Sequence, residues 1–344
     1  MNTFNNVIMQ GRNLVGFLLL LLLLNACSKN EVVKKDPVLY AAGYEGNSTT
    51  NEVAKLWKNG TASELPDSKD GDARAVAISG SDVYVAGSGR GNGDFYMAMY
   101  WKNGTAFNLT SGKNAHAYAR SIFLSGNDIY IAGQEGNIVK YWKNGTPVDL
   151  TDGKYFATAN SIYVSGNDVY VAGRQASSLT GYDVCTYWKN GTAVELSDGT
   201  THVEATSIFV SGTDVYVSGF GISDQGFYQA KYWKNGYEFN LADGNSNSRA
   251  YAIQVVGNDV YVAGKETNAD GNEVARYWKN GTGISLTDGK VDSEAHAILV
   301  TGNDVYVAGS EDEIAKVWKN GVATTLGSSG GGAYSNVYGL FLAQ

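Results

Sequence analysis

All seven tryptophans of this 344-residue chain open the same tetrapeptide, Trp-Lys-Asn-Gly, at Trp57, Trp101, Trp142, Trp188, Trp233, Trp278 and Trp318. They are separated by 44, 41, 46, 45, 45 and 40 residues. A period in the forties, filled with short alternating runs, is the mark of a β-propeller blade. No helical-period segment interrupts it after the N-terminal leader, which excludes a helical solenoid.

One unit, residues 161–199, supplies four strands. Residues 161–165 form strand A and 168–172 strand B; strand C ends at 186–189 and strand D covers 192–196, all rich in β-branched and aromatic residues. Asn and Gly stand between A and B and again between C and D, where tight primed turns demand positive φ. Strand B recurs seven times, at Tyr40, Tyr84, Tyr130, Tyr170, Tyr216, Tyr261 and Tyr306. Strand A recurs six times, and residues 339–344 then match it once more at the end of the chain. The first strand B, at 38–42, has no strand A before it. The expected fold is therefore an all-β, seven-bladed propeller of four antiparallel strands per blade over residues 38–344, its ring closed by the C-terminal strand completing the N-terminal blade. Closure of this kind removes an edge that would otherwise invite aggregation.

Composition fits that scaffold. The 43 glycines and 23 tyrosines become largely turn and strand positions of the repeat. A net charge of −8 offers nucleic acid no electrostatic footing, and two cysteines cannot build a disulfide framework.

Residues 1–26 read as a lipoprotein signal peptide. Arg12 precedes an apolar run over 14–24 that is too short to span a bilayer, and Leu24-Asn25-Ala26-Cys27 resembles a bacterial lipobox. Cys27 would then be the lipidated N-terminus, followed by a polar tether over 27–37. Removing the leader takes away Arg12 and no acid, leaving −9. The expected location is the outer membrane or cell surface, with the chain a monomer held to the membrane through Cys27. Cys185 would remain as a buried small side chain.

The Trp-Lys-Asn-Gly and Asp-Val-Tyr-Val-Ala-Gly pattern resembles the repeats of secreted bacterial β-propeller lipoproteins, over nearly all of residues 38–344. It lacks the Gly-His and Trp-Asp dipeptides of WD40 repeats and the double glycine of kelch repeats. The resemblance implies fold and export; it carries no activity to any residue.

Function is sought where the copies disagree. The A–B and C–D turns are near-identical between repeats, whereas the B–C and D–A connections vary, as residues 134–137 and 174–183 show. Variable loops on a rigid scaffold are the default site. Taking strand A as innermost, a small residue recurs just before it, at Ala73, Ala119, Ala159, Ala205, Ala250, Ala295 and Val337. Its neighbours alternate to the opposite face. One residue inward, Tyr251, His296, Tyr338, Arg74 and Arg120 should form an arc at the channel mouth; Asn160 and Thr206 share the position. One residue outward come Asp72, Tyr118, Thr158, Glu204, Arg249, Glu294 and Asn336, among which Glu204, Arg249 and Glu294 should be adjacent.

Arginine forks and tyrosines suit an anionic, hydroxyl-rich ligand, so the expected partner is an extracellular glycan, with a protein as competitor. An ion-pair network of Glu204, Arg249 and Glu294 that simply closes the channel is the plainer alternative. A lyase-like enzyme would use His296 and the tyrosines as base and acid, with Arg74 and Arg120 neutralising a uronate. No catalytic residue, cofactor or metal is assigned: His116 and His202 lie further out in no ligand spacing, and residues 67–72 do not fit an EF-hand. A deep mouth lined by Arg74, Arg120 and His296 would favour a small acidic ligand; a flat face exposing Phe95, Phe220, Phe227 and Tyr228 would favour a protein. The tryptophans, beside the generic turns, are expected in interblade packing. The repeated aspartates at 82, 128, 168, 214, 259 and 304 are expected to cap their own turns, and the Asn-Gly-Thr sequons to be turns.

Overall fold

In the computed structural model, residues 36–47, 50–90, 94–327 and 333–343 are described, and Cys27 with its leader lies outside them. The described chain from Pro37 onward folds as one compact unit of seven four-stranded antiparallel sheets. Blade 1 joins the C-terminal strand Ala333–Ala343 to Val38–Asn47, Thr50–Lys58 and Thr61–Lys69. Blades 2 to 7 follow in chain order, and strand A is the start of each. The last strand pairs from Val38 with Ala343 through Asn47 with Ala333, which closes the ring.

The core lies between blades. Each tryptophan is 2% exposed or less, and each belongs to an apolar cluster shared with the preceding blade. In one such cluster Trp188 and Ile162 of blade 4 meet Tyr130 and Val139 of blade 3. Trp101 Nε1 also donates to the Pro66 carbonyl of blade 1 at 2.7 Å, and Trp57 Nε1 to the Leu326 carbonyl of blade 7 at 3.1 Å. Cys185 is fully buried in the cluster between blades 4 and 5, where burial pushes its thiol up.

The generic turns interlock. Asn190 and Gly191 take φ of 50° and 84°, as a primed turn requires. Asn190 Oδ1 accepts from Val169 N at 2.9 Å, while its Nδ2 donates to Asp168 Oδ1 at 2.7 Å. Lys189 pairs with the same aspartate at 2.8 Å and lies over the Tyr170 ring. The arrangement recurs in blades 2 to 7. So the repeated aspartates do not cap their own turns as expected; each ties its A–B turn to the adjacent C–D turn. The reason is reach: the two turns lie side by side at one end of the blade, and Lys and Asn supply donors that the aspartate's own turn does not. These contacts also occupy both polar atoms of the sequon asparagines Asn103, Asn144, Asn190 and Asn280.

The inner strands are longer than the pattern indicated. Blade 4 runs Ala157–Ser165 and Asp168–Ala176, because pairing continues past a β-bulge. Register shifts by one residue between Ala159 and Ser161, leaving Asn160 unpaired, and the same shift occurs in all seven blades. The glycine of Tyr-Val-Ala-Gly makes this possible. A Cβ on Gly173 would stand 1.9 Å from the Thr158 carbonyl oxygen, and Gly219 meets the Glu204 carbonyl at the same distance. Only a glycine permits that approach.

Candidate functional site

A bulge leaves one residue outside the ladder and turns its side chain away from the regular pleat. Here the extra residue is Arg74, Arg120, Asn160, Thr206, Tyr251, His296 or Tyr338, one per blade. All seven line one cavity of about 340 Å³ at the mouth of the channel, with Glu204, Phe220 and Arg249 completing it. The structure therefore brings the first predicted arc together. Its members touch in sequence: Tyr251 and His296 lie 4.8 Å apart, His296 and Tyr338 5.0 Å, and the Arg74 guanidinium sits 4.0 Å over the Tyr338 ring.

The charges at the mouth are unequally matched. Arg74 forms an ion pair with Asp72, which also accepts from Ser88 Oγ at 2.9 Å. Arg120 forms no ion pair among the described residues; it lies 5.5 Å over the Tyr118 ring, and its buried Nε has no hydrogen-bond partner. Burial, followed by repulsion from Arg74, pushes its guanidinium below the usual value, yet an arginine stays charged at neutral pH. Burial also raises the phenols of Tyr251 and Tyr338, so both remain hydroxyl donors.

The outer positions do not behave as one network. Glu204 accepts from Asn160 Nδ2 at 3.0 Å and pairs with Arg174 at 3.6 Å. Arg249 stacks over Tyr228 at 4.4 Å and Phe220 at 5.1 Å. Glu294 contacts Lys265 at 2.5 Å and His296 at 2.8 Å; burial alone would raise its carboxyl, but these two partners hold it well below the usual carboxylate range. Among the described residues Glu204, Arg249 and Glu294 thus form no ion pair with one another, and the channel is not closed by the expected network. Each finds a nearer partner on the preceding blade: Arg174 for Glu204, Tyr228 and Phe220 for Arg249, and Lys265 for Glu294. Thr158 and Asn336 are buried beside them.

That strand-B ring is what sequence reasoning missed. Tyr44, Ser88, Gln134, Arg174, Phe220, Lys265 and Ser310 each follow the bulge glycine and pair directly with the outer position. The signal was present: six residue types in seven copies, immediately after a glycine that never varies.

The remaining histidines stand apart. His116 packs among Phe95, Tyr96 and Tyr118, and His202 contacts Asp183 at 3.1 Å. No group of three metal-ligating side chains occurs among the described residues. Phe95, Phe220 and Tyr228 are engaged with His116 or Arg249, while Phe227 is 39% exposed, so these four do not make a flat apolar face.

No protein-family model and no curated protein matches the chain. Solved structures do. A puromycin-hydrolyzing peptidase of Mycobacterium tuberculosis is similar at 12% identity with a TM-score of 0.54, over 86% of this chain and 52% of that one. A prolyl endopeptidase is similar at 14% and 0.50, over 86% and 50%. The β-propeller domain of the trilobed protease from Pyrococcus furiosus, described as having an open velcro topology, is similar at 12% and 0.52, over 85% and 94%. These likenesses show the fold. The chain spans about half the length of the first two proteins.

Proposed function

We propose that the propeller is a lipid-anchored, extracytoplasmic binding scaffold whose channel mouth takes an acidic extracellular glycan fragment without transforming it. One observation carries this reading: Arg120, half-buried at the mouth, forms no ion pair with a carboxylate among the described residues, while its neighbour Arg74 is already paired. An uncompensated, partly desolvated cation favours an incoming anion, and a guanidinium fork matches a carboxylate with two hydrogen bonds. Tyr251 and Tyr338 add hydroxyl donors and apolar ring faces suited to a sugar. A non-catalytic role is supported by the same groups. Burial raises the phenols of Tyr251 and Tyr338, so neither is a base at neutral pH, and the lyase outcome below tests His296.

The test is calorimetric titration with oligogalacturonate and with neutral oligosaccharides of equal length. Arg74→Ala with Arg120→Ala is expected to weaken uronate binding by about a hundredfold, the loss of two charge-assisted contacts. Unchanged affinity would sink the proposal. Appearance of unsaturated sugar ends, abolished by His296→Ala, would make the protein a lyase instead. Anchoring has its own check: Cys27→Ser is expected to move the protein from the membrane fraction to the soluble fraction, and unchanged partitioning would refute the lipid anchor.

A further inference from the structure

A second cavity, of about 590 Å³, opens on the same face where blade 7 meets blade 1. Its chemistry is opposite to that of the arginine mouth. Glu273, Glu294, Asp292 and Glu313 contribute carboxyl groups, three tyrosines contribute rings, and no basic side chain lines it among the described residues. Lys265 lies behind Glu273 and Glu294, bonded to both at 2.6 and 2.5 Å, and so offsets the inner acids alone. Asp292 and Glu313 stand at the exposed rim without an ion pair among the described residues.

The tyrosines form a corner. Tyr44 lies 6.0 Å from Tyr334, edge to face, and 5.9 Å from Tyr338. Aromatic faces beside carboxylates attract a cation by ring quadrupole and by charge together. A further feature is independent of the acids. Ser310 is 8% exposed and lines the cavity, yet its hydroxyl has no hydrogen-bond partner among the described residues. In blade 2 the equivalent Ser88 donates to the outer-position Asp72. In blade 7 the outer-position acid, Glu294, is taken by His296 and Lys265, which leaves the serine unanswered. A hydroxyl on a mostly buried side chain that lines the cavity, with its acceptor lone pairs not taken up, is placed to accept from a ligand.

We propose that this cleft binds a primary ammonium group, held by the tyrosine corner, the rim acids Asp292 and Glu313, and the Ser310 hydroxyl as acceptor. The inference stands apart from the carboxylate reading of the channel mouth, because none of these groups except Tyr338 lines that cavity. An ammonium group occurs on a free amine, on a lysine side chain and on an amino sugar. Titration of the full chain in mild detergent with cadaverine, with Nα-acetyl-lysine methylamide and with glucosamine, at matched ionic strength, separates these sources.

Saturable binding of at least one probe is expected. Asp292→Asn with Glu313→Gln should weaken it about tenfold, the scale of a partly desolvated cation contact, and Ser310→Ala and Tyr44→Leu should weaken it separately. Both rim substitutions are at exposed positions, and a thermal melt checks that the variants fold. Arg120→Ala should leave ammonium binding intact even if it abolishes uronate binding. Absence of saturable binding for all three probes would overturn the proposal. So would affinity that is unchanged in the rim and Ser310 variants, which would mark diffuse charge attraction.

Discussion

Trp101→Ala is expected to destabilise the propeller by about 3–5 kcal/mol, the range for truncating a fully buried large aromatic. The indole is wholly buried between blades 1 and 2, so its loss leaves a cavity that two sheets, each held by its own ladder, cannot collapse to fill. Its hydrogen bond allows a finer comparison. Trp101 Nε1 donates to Pro66, whereas Trp233 Nε1 is buried with no partner. Trp101→Phe should therefore cost about 1 kcal/mol more than Trp233→Phe, since only the former leaves a carbonyl unpaired. Urea titration of the four chains measures both effects. Equal losses for the two phenylalanine variants would show that the interblade hydrogen bond contributes nothing. A reduced slope with denaturant in Trp101→Ala would show blades uncoupling rather than the whole ring weakening.

Deleting residues 333–344 is expected to abolish the folded monomer. The C-terminal strand pairs along the whole of Val38–Asn47, and Val337 belongs to the cluster that joins blades 7 and 1. Without it, blade 1 keeps three strands and bares its inner edge to solvent and to other chains. Size-exclusion chromatography should show aggregates, and circular dichroism should show no cooperative melt near that of the intact protein. A synthetic peptide of the deleted segment should restore the monomer by adding back the missing strand. A truncated chain that stays monomeric with an unchanged melting temperature would mean that the ring does not depend on this closure.

The legibility of the scaffold follows from its locality. Each Trp-Lys-Asn-Gly turn is fixed by residues within about twenty positions of it, so the same sequence string reproduces the same contacts. The aspartates show the limit of that reasoning: their partner is the neighbouring hairpin, Asn190 and Lys189 for Asp168, and the turn chemistry around each aspartate does not reveal it. The bulge was nearly legible as well. Its glycines read in the sequence as one more repeated position, although Gly173 is kept for space against the Thr158 carbonyl and not for a turn.

By itself the sequence determined seven blades, their strand order, the closing strand and the ring of differing residues at the channel mouth. Repetition makes these visible, because equivalent positions of a closed ring must lie side by side. Tertiary structure alone decided who pairs with whom. Lys265 claims Glu294, Tyr228 and Phe220 claim Arg249, and among the described residues Arg120 is left without an ion pair and Ser310 without a hydrogen bond. Those outcomes depend on long side chains competing across blades some forty residues apart, at separations of a few ångströms that no sequence spacing encodes.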